Sequence, residues 1–170
     1  GLESLHVRMK RHCENGLAVA KYLEANDKIG WVNFPALESN SDYELTKKYL
    51  PDGASGVISF GIKGGREAAT KFMDSLKLAA IVVHVADART CVLHPASSTH
   101  RQLSDQELVE CGVSPDLIRF SVGIENVDDI IADIKCGIPC LAGMVGNAEL
   151  NNLACPRTLV IRCAEDIVGE

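Results

Sequence analysis

Asp116-Leu117-Ile118-Arg119-Phe120-Ser121-Val122-Gly123-Ile124-Glu125 (DLIRFSVGIE, residues 116–125) alternates apolar and polar residues with the two-residue period of a strand. Ile118, Phe120 and Val122 share one face and are expected to point into a helix-covered core. Arg119 and Ser121 then point the other way. An arginine mid-strand, aimed away from its own core, offers five donors in a rigid fork that suits a carboxylate. Periodicity by itself equally allows an exposed arginine in a surface ion pair, and favours that simpler reading. The flanks of this strand set the fold. Upstream, Ser104 is placed to cap a helix from Asp105 to near Gly112. Downstream, Asn126 caps a helix over 127–134, with Asp128 and Asp129 in its first turn, where negative charge suits the helix dipole.

Farther out, Leu2, Leu5, Met9, Cys13, Gly16, Ala20 and Leu23 recur at three- and four-residue steps and predict a helix over 2–25. A short strand is expected over 29–34, ended by Pro35, and a short helix through Tyr49 is expected after Asn40-Ser41-Asp42. The segment GVISFGI (56–62) reads as a strand, with Val57, Ser59 and Gly61 on one face and Ile58, Phe60 and Ile62 on the other. Gly64-Gly65 breaks it and a helix follows over 66–76. Strands are expected over 81–85 and 90–93, HPASSTH (94–100) as a loop, and a further strand over 158–162. Short strands interleaved with helices predict an α+β domain: a small, mostly antiparallel sheet covered by helices on one face.

The chain's 170 residues suffice for one hydrophobic core. A mean hydropathy of +0.07 describes a globular chain, and a net charge of −6 with scattered basic residues argues against nucleic acid as a partner. No apolar run reaches the roughly 18 residues of a membrane helix. Seven cysteines without a secretory leader suggest a cytoplasmic protein with free thiols. A metal site on the cluster Cys136, Cys140, Cys155 and Cys163 is the less favoured alternative, because zinc sites usually use tighter pairs. Gly61-Ile62-Lys63-Gly64-Gly65 lacks the Walker and dinucleotide spacings, so a tight strand-to-helix turn is preferred over a phosphate cradle. Thr90 offers a hydroxyl that could stand beside the arginine's ligand, or be a simple strand former. His94 and His100 have no adjacent nucleophile and are expected to be structural. The chain starts with Gly inside a helical pattern, which suggests a piece of something longer.

The stretches LHPASSTHRQL (93–103) and GVSPDLIRFSVGIENVDDIIADI (112–134) resemble the C-terminal signature of the Cys/Met-metabolism family of enzymes dependent on pyridoxal 5′-phosphate (PLP). GLESLHVRMKRHCENGLAVAKYLEAN (1–26) resembles the long helix that opens that family's C-terminal domain, and residues 31–65 look most like its O-acetylhomoserine sulfhydrylase branch. The resemblance covers about 1–136, which would be a C-terminal substrate-binding domain, and leaves 137–170 as an unmatched tail. It implies that Arg119 binds the α-carboxylate of an amino-acid substrate, overturning the surface-pair reading, and that Thr90 sits where many members place a serine touching the same group. It implies PLP in the full-length enzyme, bound by an N-terminal domain outside this sequence, in a homo-oligomer that is tetrameric in the family. None of the nine lysines here lies in the family's Ser-x-Thr-Lys context, so this chain by itself is expected to be inactive and to hold no PLP. Methionine γ-lyase, cystathionine γ-synthase, and a non-catalytic fragment pairing through its exposed sheet face are the alternatives.

Overall fold

The computed structural model describes residues 1–138; the expected strand over 158–162 and most of the cysteine cluster lie outside the described residues. Five helices and five strands follow in the order α1 (Leu5–Glu24), β1 (Ile29–Asn33), α2 (Tyr43–Tyr49), β2 (Val57–Ile62), α3 (Gly65–Ser75), β3 (Ala80–Ile81), β4 (Cys91–Leu93), α4 (Asp105–Glu110), β5 (Leu117–Ser121) and α5 (Val127–Gly137), with a 3-10 turn at Pro95–Ser97. The strands form one sheet in the order β1-β2-β5-β4-β3. Its pairs are antiparallel except β3 with β4, which run parallel. The fold is α+β, as expected.

Hydrophobic burial explains the layering. Ile118 and Phe120 of β5 and Ile58 and Phe60 of β2 are fully buried, as are Val19, Ala20 and Leu23 of α1, Phe72 of α3 and Ile130 and Ile134 of α5. These side chains form one core between the sheet and the helices, with the Phe60 ring edge-on to both Phe72 and Phe120. Burying each large side chain contributes about 1.5–3 kcal/mol, against the conformational entropy of ordering it. Two of the predicted caps form as drawn. Ser104 and Glu107 make a reciprocal capping box on α4, and the Asn126 side chain accepts from the Asp128 N–H at 2.9 Å. At α2, by contrast, the capping residue Asp42 makes no side-chain bond, and the Asn40 side chain takes the Asp42 N–H instead.

The expectation for 81–85 is corrected. Strand β3 ends at Ile81, with one further ladder bond from the Val82 N–H to the Val92 carbonyl at 3.2 Å. Beyond it the Val83 and His84 carbonyls turn to the Arg119 guanidinium, so they are lost to any ladder. Ala86, at φ +66°, completes the departure in a conformation that costs a non-glycine residue some strain.

Candidate substrate-carboxylate site

Register decides what faces away from the helices. Ser59 pairs with Arg119 and Arg119 with Leu93, while Val57 pairs with Ser121 and Ser121 with Cys91. Directly paired residues share a face, so these six line the side of the sheet opposite the core. Gly61 and Trp31, themselves paired, continue it. The Trp31 indole lies across Gly61 so closely that a Cβ there would meet its Nε1 at 2.1 Å. From that position the indole N–H donates to Asp116 Oδ2 at 3.2 Å, and the Ser114 hydroxyl donates to Asp116 Oδ1. Glycine at 61 is therefore what allows the indole to lie across β2 on the face that carries Arg119.

Arg119 is half-buried on this face. Its Nη2 donates to the Val83 carbonyl at 2.6 Å and the His84 carbonyl at 3.3 Å. Its Nε is buried with no hydrogen-bond partner among the described residues. No carboxylate among the described residues forms an ion pair with it. A buried guanidinium donor without an acceptor costs about 1–3 kcal/mol or more, a deficit that an incoming anion would offset. Two neutral carbonyls orient the fork while leaving its positive charge uncompensated.

Thr90 is placed differently from the expectation. It is fully buried, its hydroxyl donates to Glu125 Oε2 at 2.9 Å, and the same oxygen accepts from the Gly123 N–H at 2.9 Å. Its own N–H donates to Glu125 Oε1 at 2.6 Å. By strand parity it falls with Val92, on the side away from Arg119, and no hydrogen bond among the described residues joins the two. The hydroxyl is committed to holding the chain just after β5. Glu125 is the residue that sequence reading missed there: its position inside the GIE triplet carried no signal beyond that of a charged loop residue.

The same junction is tied to α1. His12 Nδ1 lies 2.7 Å from the Val122 carbonyl, and the Asn15 amide donates to the Gly123 and Glu125 carbonyls at 2.9 and 2.8 Å. His94 is fully buried, its Nδ1 2.9 Å from the Ser97 hydroxyl and its Nε2 2.8 Å from the Pro115 carbonyl. A carbonyl only accepts, so Nε2 carries the proton and Nδ1 accepts from Ser97. Burial holds the His94 pKa below the usual imidazole value, keeping it neutral. Both contacts are within the fold, so His94 orders the 94–100 loop beside the β5 entry.

Among the described residues, no lysine is placed to bond PLP. A lysine that bonds such a cofactor sits desolvated in a pocket. All nine lysines of this chain are exposed, and the shift seen at Lys47 is upward, from its hydrogen bond with Glu44. The open sheet face suits an anionic group on a ligand rather than the cofactor itself.

The profile of the Cys/Met metabolism PLP-dependent enzymes matches residues 1–139. Homocysteine synthase of Schizosaccharomyces pombe is 52% identical over 133 residues, 78% of this chain and 31% of that protein. O-acetyl-L-homoserine sulfhydrylase of Leptospira meyeri is 45% identical over 136 residues, 79% of this chain and 31% of that protein. A crystal structure of a putative O-acetylhomoserine (thiol)-lyase from Campylobacter jejuni, with a pyridoxyl-lysine monophosphate at its position 205, superposes with a TM-score of 0.75 at 41% identity. That alignment covers 81% of this chain and 33% of the other. The chain thus spans about a third of the length of the relatives it matches. With the profile covering most of the sequence and a sheet superposing on a solved relative, the chain belongs to the Cys/Met metabolism family of PLP-dependent enzymes.

Proposed function

We propose that residues 1–136 are the substrate-carboxylate-binding domain of an O-acetyl-L-homoserine sulfhydrylase, with 137–170 as a separate tail. In the whole enzyme, sulfide displaces acetate from O-acetyl-L-homoserine to give homocysteine. PLP, when bound to the rest of the enzyme, supplies the electron sink for that replacement. The part of this chain is recognition: Arg119 takes the substrate's α-carboxylate and fixes the direction in which the amino acid enters. One observation carries the reading, a guanidinium oriented by the Val83 and His84 carbonyls, unpaired with any described carboxylate and holding a buried, partnerless Nε. Thr90 contributes at one remove, by locking Glu125 and Gly123 behind the strand that presents the arginine. The enzyme is placed in the cytoplasm as a homo-oligomer, and the chain on its own is inactive.

The test is Arg119→Ala in the full-length enzyme. Losing a charge-assisted pair of hydrogen bonds should raise KM for O-acetyl-L-homoserine by roughly a hundredfold, with KM for sulfide little changed. An unchanged KM for the amino acid removes the proposal. Assaying methionine and O-acetylhomoserine with sulfide side by side separates the sulfhydrylase from the γ-lyase alternative.

A second reading draws on the same face. Val57 on this face, and Val83 and Val85 in the segment beside Arg119, are exposed, Val83 by 63%, and a chain without the rest of the enzyme would leave them in water. Sedimentation of this chain as a dimer, with the association lost in Val83→Glu, would favour a module that pairs through its sheet face.

A further inference from the structure

The segment that orients Arg119 also gathers three metal-binding side chains. His84, Asp87 and Cys91 offer an imidazole nitrogen, a carboxylate oxygen and a sulfur, all within 4.8 Å of one another. His84 Nε2 lies 3.0 Å from Asp87 Oδ2. Bonds of about 2.0–2.3 Å in a tetrahedral zinc site put its ligand atoms roughly 3.3–3.8 Å apart. The spread of 4.8 Å exceeds that spacing by about 1 Å, and one pair, His84 and Asp87, is already closer than it. Cys91 is free and buried, His84 is exposed on the outer side, and Asp87 lies between them in burial. We propose that His84, Asp87 and Cys91 form a binding site for a divalent cation of the Zn²⁺ class, with three protein ligands and one coordination position left open. The proposal does not rest on the role proposed for Arg119.

The donor set argues for this class of cation. Calcium and magnesium prefer oxygen ligands, whereas imidazole and thiolate together select the borderline-to-soft ions. Binding forms one bond each from nitrogen, oxygen and sulfur to the ion, releases the Cys91 thiol proton to solvent, and leaves no change in oxidation state. The ion replaces the His84–Asp87 hydrogen bond, and the neutral imidazole that binds it through Nε2 carries its single proton on Nδ1. Charge around it is mixed. Asp87, the Cys91 thiolate and Glu125 favour a cation, while Arg89 and Arg119 oppose it. Arg89 is the direct competitor, because its Nη2 lies 2.9 Å from Asp87 Oδ2 and its backbone N–H 3.0 Å from Oδ1. The ion's two outer ligands, His84 and Asp87, lie in the loop whose His84 carbonyl accepts from Arg119, so occupancy would stiffen that loop.

Cobalt(II), with the reduced full chain under anaerobic conditions, is the probe. Titration should give a thiolate-to-cobalt charge-transfer band with the visible bands of a tetrahedral site, displaced by one equivalent of Zn²⁺. Cys91→Ser should abolish the charge-transfer band, and His84→Ala, a surface change that leaves the fold intact, should weaken binding by roughly tenfold or more. Arg89→Ala should tighten it several-fold by freeing Asp87. Replacing Cys140, Cys155 and Cys163 by Ser should leave the spectrum unchanged. A band that survives Cys91→Ser, or one lost with the three tail cysteines, overturns the proposal, as does weaker binding in Arg89→Ala.

Discussion

Two arginines of this domain sit in opposite circumstances. Arg66, at the start of α3, donates through Nε and Nη2 to the Asp105 carboxylate and through Nη1 to the Ala96 carbonyl at 2.7 Å. Its charge is neutralised and all three nitrogens are used in tying α3 to the 3-10 turn and α4. Among the described residues, Arg119 uses one nitrogen, on uncharged carbonyls, and keeps a buried donor without a partner. A structural arginine is satisfied within its own fold; one whose charge and donors are left over is set up for something outside it. The contrast separates a clamp from a receptor using chemically identical side chains.

The comparison rests on a sheet whose two faces differ in kind, and the largest expected effect tests that. Phe120→Ala, on the core face one residue from Arg119, should destabilise the chain by about 3–5 kcal/mol in denaturant unfolding, because Phe60, Phe72 and the helices cannot collapse fully onto the vacated space. Thr90→Val keeps the shape but strands the Gly123 N–H and Glu125 Oε2, while the backbone bond to Glu125 Oε1 survives. It should cost about 1–3 kcal/mol, against little or nothing if Thr90 merely awaits a ligand. Arg66→Ala should cost about 1 kcal/mol, since Asp105 is largely exposed and water screens the pair. Arg119→Ala should leave the stability of this chain within about 0.5 kcal/mol of the parent, because an uncompensated donor disappears with it. If Arg119→Ala cost more than Arg66→Ala, the clamp-and-receptor distinction would collapse.

A pH experiment adds the smallest effect. Burial lowers the His94 pKa in the folded chain below its usual value near 6.5, so the unfolded chain takes up the proton more readily. The stability contributed is fully present above about pH 6.5 and falls as pH drops below it. His94→Asn should flatten the stability-versus-pH curve between pH 7.5 and 5.5, measured by urea midpoints. An unaltered slope would mean that His94 protonates equally well when folded.

Strands β2 and β5 were legible because their alternation is strict and one face is wholly apolar, which allows only one register against the helices. Caps at Ser104 and Asn126 were legible because a side-chain acceptor within three residues of the helix start is a local matter. The 81–85 segment misled for the opposite reason. Ile81-Val82-Val83 has every property of a strand, and what bends it away is a guanidinium 36 residues downstream that claims the Val83 carbonyl. Thr90 misled similarly, since its partners Glu125 and Gly123 are over thirty residues away and nothing in a lone threonine announces them.

The sequence by itself determined the class of fold, the identity of the core and the face on which Arg119 stands, because period-two and period-3.6 patterns fix burial through the hydrophobic effect alone. Only the tertiary structure decided which polar groups are spent and which are left over. Arg119, Thr90 and His94 look alike as polar residues on or beside strands. Hydrogen-bond satisfaction depends on partners that the chain brings in from 21 to 36 residues away. Burial is written in spacing, but the balance of donors and acceptors at a site exists only once distant segments have met.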